Sequence, residues 1–161
     1  MHLIDLSVNF MGTSAIVGNS IPIGVGLGLS AQLAKSDQIS VIYLGDGAVE
    51  EGVFYEAANF AVLKGLKILF VCENNLYSVY SSMKWRQPKN RKIANLAEAI
   101  GLKSYSTNGY NLLECSETLK DAVGYVRADK GPAFVEASTY RYREHCGPNY
   151  DNEIGYRTVA E

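Results

Sequence analysis

Two short stretches carry residues whose types and spacing suit chemistry. Gly45-Asp46-Gly47 closes the run "VIYLGDG", and Asn74-Asn75 closes the run "ILFVCENN". Each follows apolar, β-prone residues that read as a strand covered on both faces. Asp46 and Asn75 lie 29 positions apart, which is the reach of one helix and one strand. A parallel strand–helix–strand unit sets its two strands side by side or nearly so, about 5 Å per step. Ligands of open parallel sheets sit beyond the carboxyl ends of the strands. One carboxylate and one amide oxygen are therefore expected to point into a shared crevice. A hard ion such as Mg²⁺ takes about six oxygen ligands and keeps phosphate oxygens and water among them. Gly45 and Gly47 would let a phosphate lie against bare backbone N–H groups, with the positive end of the next helix turned toward it. Taken singly, Gly-Asp-Gly is a good turn and Asn-Asn a good loop start. Their placement at two successive strand ends is what makes the pair specific.

The elements that must position these residues follow from periodicity. Residues 1–13 look irregular, and 14–34 read as a helix with a small-residue face. "QISVIYLG" predicts the first strand. "EEGVFYEAANFAVLKG" has helical spacing, acids at its start and Gly65 as a stop. "KILFVCE" predicts the second strand, and 74–90, which holds Pro88, a long loop. A helix is predicted over 92–100, a short strand and a turn within "GLKSYSTNGYN", an amphipathic helix over 112–128, and a third buried strand in "GPAFVEASTY". The tail, 141–161, is polar and aromatic with no regular period. Helices alternating with fully apolar strands mean an α/β fold, a three-layer doubly wound parallel sheet. No linker interrupts 1–161, so a single domain is expected.

Composition sets bounds. At 161 residues, 47% apolar and 20% charged, the chain is globular in type. A net charge of −2 leaves no electrostatic footprint for nucleic acid or an anionic membrane. Cys72, Cys115 and Cys146 are odd in number and widely spaced, which makes neither a disulfide framework nor a zinc pattern and points to a reducing cytoplasm. "AIVGNSIPIGVGLGLSAQLA" has the length of a membrane span, but its Asn, Ser, Pro, Gln and Gly content fits a buried helix better. "GLGLSA" matches G-x-G-x-x-A, yet it precedes the first clear strand, whereas a dinucleotide fingerprint follows one.

The stretch "GDGAVEEGVFYEAANFAVLKGLKILFVCENNLYS" resembles the thiamine-diphosphate motif, GDG followed by NN. The chain is more closely similar to the alpha subunit of the first, decarboxylating component of the 2-oxo acid dehydrogenases, the family of the pyruvate, branched-chain 2-oxo acid and acetoin dehydrogenases. "AIVGNSIPIGVGLGLSAQLA", "KGPAFVEASTYRYREH" and "GYRT" carry the likeness beyond the motif. The resemblance implies a thiamine-diphosphate-binding fold of the diphosphate-side type. It implies Mg²⁺ held by Asp46, the side chain of Asn75 and the backbone carbonyl of Tyr77. Gly45, Gly47 and Ala48 would line the diphosphate. Ile16 and Val17 would touch the cofactor, and Val79 would prop its bent shape. His145, in the active-site tail of 141–161, would reach the diphosphate and the reacting carbon as the catalytic residue. An imidazole there can bond a phosphate oxygen or move a proton near neutral pH. For Val17 and Val79, plain core packing competes with the cofactor role.

The resemblance covers the middle of the family's subunit, so the domain is expected to be truncated at both ends as a fragment, split gene or short form. The family's "HGHS" reads "REHC" here: Arg143 replaces the first histidine and Cys146 the serine that some relatives phosphorylate. Nothing near Cys146 in sequence argues for a reactive thiol. The family's cofactor-activating glutamate comes from a beta subunit. Glu50, Glu51 and Glu73 lie on the diphosphate side, with Glu73 a candidate for orienting Asn75. The implied assembly is α₂β₂, acting on a small 2-oxo acid and passing an acyl group to a lipoyl-bearing second component. A non-catalytic subunit fragment and a transketolase-like enzyme are the competing readings.

Overall fold

The computed structural model describes residues 2–158. Its elements follow in chain order. Helix α1 spans Ser20–Leu33, β1 Ser40–Gly45, α2 Gly52–Lys64 and β2 Ile68–Asn74. A small hairpin, β3 (Tyr77–Ser78) and β4 (Ser81–Ser82), leads into the short helix α3 (Met83–Arg86). Then come α4 (Ile93–Ile100), β5 (Lys103–Asn108), α5 (Leu112–Arg127) and β6 (Ala133–Ser138). The main sheet has the order β1-β2-β6-β5 with every pair parallel. This is the expected α/β architecture, with helices on both faces.

Alternation along the strands divides the core into two layers. Ile42, Leu44, Ile68, Phe70, Cys72 and Phe134 face α1, α2 and α4, with Phe54 of α2 packed edge-on against Phe70 and Phe134. Leu69, Val71, Ala133 and Val135 face α5 through Ala122 and Val126. β2 and β6, the inner strands, are covered on both sides as predicted. β1 departs from that expectation: Val41 and Tyr43 are 45% and 62% exposed. β1 is an edge strand, and α5 lies over β2, β5 and β6.

The first helix begins at Ser20 instead of residue 14, because Pro22 belongs in a first turn, where its missing N–H leaves no bond unmade. Its glycines have a packing reason. A Cβ on Gly24 would lie 2.4 Å from Ile42 Cγ1, and one on Gly28 would lie 2.8 Å from Ile68 Cγ1, so α1 rides close on the sheet. Among the described residues no helix is long and apolar enough to cross a membrane. α2 stops as read, at Gly65 with φ +58°. The acids expected in its first turn lie ahead of it, Glu50 in a 3₁₀ turn (Asp46–Glu50) and Glu51 at the N-cap. The stretch read as a bare loop, 74–90, holds the hairpin and α3. The irregular N-terminus holds a 3₁₀ turn at Leu6–Val8, and the tail another at Asp151–Glu153.

Candidate functional site

The two motifs meet. β1 and β2 are direct neighbours, with Gly45 opposite Glu73 in register. Gly45 ends β1, and Asp46 opens the 3₁₀ turn just beyond it. β2 runs on to Asn74, so Asn75 emerges at the same rim. The backbone N–H of Asn75 is among the groups that favour the charged form of the Asp46 carboxylate. Asp46 is 1% exposed, an acid buried at the end of a strand. Burial pushes its carboxyl above the ordinary value, against the pull of a guanidinium and two backbone N–H groups.

The hairpin shapes the other wall. Asn75 Oδ1 accepts from the Tyr77 N–H at 2.9 Å, an Asx turn that fixes the amide and keeps its second lone pair for another partner. Leu76 and Val79 hold φ of +70° and +53°, a left-handed conformation that bulky residues adopt only where the surroundings impose it. Val79 is 38% exposed, so it is no core residue, and its carbonyl accepts from Arg141 Nη2 at 2.6 Å. Gly47 packs on the hairpin, since a Cβ there would lie 2.6 Å from Ser78 Oγ. A Cβ on Gly45 would meet nothing within 4 Å, so that backbone is open to an approaching group. A cavity of about 590 Å³ opens at the rim, bordered by Asn75, Glu73, Tyr110, Thr139 and Arg141.

Asn74 is fastened separately. Its Nδ2 donates to Glu136 Oε1 at 2.8 Å, while Glu136 Oε2 accepts the Ala94 N–H at 2.9 Å near the start of α4. Orientation of the asparagine pair therefore falls to Tyr77 and Glu136, and the exposed Glu73, expected in that role, does not take it. Ile16 and Val17 lie in the turn before α1, 66% and 57% exposed, beside a Gly18 that packs against Glu51 and Val53 near the start of α2.

Arg86 was not singled out by sequence. Its Nη2 donates to Asp46 Oδ2 and its Nη1 to Glu50 Oε1, each at 2.5 Å. Gln87 Nε2 also reaches Glu50 Oε1, at 2.7 Å. Arg86 lies 40 positions from Asp46 in a polar stretch, and no motif marks it.

The tail also has an order that its sequence did not reveal. Asp151, fully buried, takes Arg141 Nε and Arg157 Nη2 on Oδ2 at 3.1 Å each, together with the Tyr156 hydroxyl. Burial alone would raise that carboxyl, but these three donors bring it below the ordinary range. The Tyr156 ring stacks edge-on against Tyr77 at 4.9 Å, which seats the tail on the hairpin. Within it, Glu144 and Asn149 bond to each other and Arg143 pairs with Tyr150. His145 and Cys146 are left at the exposed tip.

Among the described residues no group of three or more His, Cys, Asp or Glu side chains could hold a metal ion. A cation here would have to rest on a mixed set of carboxylate, amide and backbone oxygens. That set is hard oxygen throughout, beside open glycine backbone, and it suits Mg²⁺ with a diphosphate.

The comparisons agree with this geometry. A family model described as "Dehydrogenase E1 component" matches residues 1–161. The chain belongs to the dehydrogenase E1 component family. It is similar to the pyruvate dehydrogenase E1 component subunit alpha of Rickettsia bellii, 39% identical over 161 residues, all of this chain and 48% of that protein. The mitochondrial counterpart from Sminthopsis macroura is 35% identical and is covered to 42%. This dehydrogenase E1 chain thus spans about half the length of the curated relatives it matches. Among solved structures, a transketolase from Campylobacter jejuni superposes with a TM-score of 0.70 at 23% identity, over 84% of this chain and 22% of that one. A putative thiamin diphosphate-dependent enzyme from Mycobacterium smegmatis gives 0.62 at 22% identity, over 82% and 24%. At such identities the likeness shows a shared fold.

Proposed function

We propose that this chain is the cofactor-binding core of the alpha subunit of a thiamine-diphosphate-dependent 2-oxo acid dehydrogenase. The observation that carries the reading is the direct pairing of β1 with β2, which sets Asp46 and Asn75 side by side at neighbouring strand ends. Asp46, the Asn75 side chain and the Tyr77 carbonyl would hold Mg²⁺. Gly45, Gly47 and Ala48 would line the diphosphate and offer it backbone N–H groups. Ile16, Val17 and Val79 border the organic part of the cofactor. Thiamine diphosphate, when bound, supplies the nucleophilic carbon and the electron sink that decarboxylation of a 2-oxo acid needs.

The chain's own residues bind and orient. Asp46 and Asn75 fix the charged end of the cofactor. The Arg141 bond to the Val79 carbonyl holds the hairpin wall. His145, carried on the tail, bonds a phosphate oxygen or moves a proton at its ring nitrogens. A beta subunit supplies the glutamate that activates the cofactor, in an α₂β₂ assembly that delivers the acyl group to a lipoyl domain. The relatives named as pyruvate dehydrogenase alpha subunits favour a small 2-oxo acid as substrate.

Calorimetry of thiamine diphosphate binding, with the beta subunit present, tests the reading. Binding that requires Mg²⁺ is the expected result. Binding indifferent to Mg²⁺, or no binding at all, overturns it and favours a structural subunit.

A further inference from the structure

Asp46 is the buried acid on which the cation site depends, and it already has a cation. The Arg86 guanidinium forks between Asp46 and Glu50. Both partners of the inner pair are withdrawn from water, the Asp46 side chain 1% exposed and that of Arg86 11%. Arg86 Nε also donates to the Ser81 carbonyl at 3.1 Å. A single side chain therefore fastens the β4–α3 corner to the Gly-Asp-Gly turn. Fork geometry of this kind is particular to arginine.

Two cations sharing one desolvated carboxylate repel strongly. We propose that Arg86 and the divalent ion are alternative partners of Asp46. Arg86 neutralises the acid while the metal is away, and metal binding releases Arg86 together with the turn that carries Trp85. The inference rests on the magnesium–diphosphate reading of the site. The metal affinity observed is then the intrinsic affinity reduced by the fraction of chains in which Arg86 has let go. Such a counter-cation keeps a buried carboxylate from standing alone before the cofactor arrives. It also sets how much magnesium the protein needs. Trp85, 89% exposed and next in sequence to Arg86, is the chain's single tryptophan.

The test uses the full-length subunit assembled with its beta partner. Mg²⁺ is titrated by calorimetry at fixed thiamine diphosphate. Arg86→Met should tighten Mg²⁺ binding about tenfold by removing the competitor, and Arg86→Lys should fall between. Glu50→Gln, which loosens the outer anchor without touching Asp46, should tighten it by a smaller factor and decides the matter if Arg86→Met does not fold. Without metal, Arg86→Met should melt at a lower temperature than the unmodified complex, and saturating Mg²⁺ should close the gap. Unchanged or weaker Mg²⁺ affinity in these variants overturns the competition and leaves the site standing. Loss of magnesium-dependent binding in the unmodified complex overturns the site itself.

Discussion

Gly45 of β1 lies opposite Glu73 of β2, so Asp46 and Asn75 emerge at the same rim of the sheet. This pairing brings together residues 29 positions apart and makes one site of two turns.

Substituting Asp46 tests the site at its centre. Asp46→Ala should weaken magnesium-dependent thiamine diphosphate binding by more than about 100-fold, since even outer partners of a metal site are worth 10–100-fold. Calorimetry reads this directly, and unaltered binding would remove Asp46 from the metal site.

Gly47 should tolerate no side chain. Gly47→Ala places a Cβ 2.6 Å from Ser78 Oγ and 2.9 Å from Ser78 Cβ, an overpacking expected to cost about 1–3 kcal/mol. Ser78→Gly in the same chain should recover most of the loss. Urea denaturation of the two single variants and the double variant measures the coupling, and additive losses would mean the clash is relieved elsewhere.

Asp151 should act on stability with a defined pH dependence. Its carboxyl is lowered in the folded chain, so its contribution is complete above the unfolded value and is lost as pH falls through the folded one. Asp151→Asn leaves Arg141 and Arg157 facing each other and should cost about 3 kcal/mol at pH 7. Chemical denaturation at pH 7 and pH 3 should show the difference shrinking in acid.

Asp46 has the opposite sign. Its carboxyl is raised, so the folded chain holds that proton more tightly than the unfolded one, and the group's contribution to stability falls as pH rises through the window between the two values. Protons also compete with the metal. Mg²⁺ affinity should decline on acidification at a higher pH than for an unburied aspartate, which calorimetry across a pH series measures.

His145 stands at the exposed tip of the tail and makes no hydrogen bond among the described residues. His145→Ala should leave stability within about 0.5 kcal/mol. In the assembled enzyme kcat should drop about 10²–10⁴-fold if the imidazole transfers a proton. Unchanged kcat would leave His145 a solvated loop residue.

The legible part of the fold was the part governed by local pattern. Apolar runs at 40–45, 68–74 and 133–138 became strands, and Gly65 stopped α2 within a residue of the reading. The hairpin at 77–82 was hidden because two-residue strands carry no periodicity. The one-sided cover of β1 was hidden because an edge strand and an inner strand share the same apolar signature. Pro22 did signal the true start of α1, and the apolar run around it masked that signal.

By itself the sequence determined a parallel α/β fold and the residues at two strand ends, because turn chemistry and hydrophobic period are local properties of the chain. Tertiary structure alone decided that β1 and β2 are neighbours and that Arg86 meets Asp46. It also decided that Asp151 gathers Arg141 and Arg157 under the tail. Those partners lie up to 40 positions apart, and charged side chains at such separations choose one another only when folding removes the water that would otherwise serve each of them.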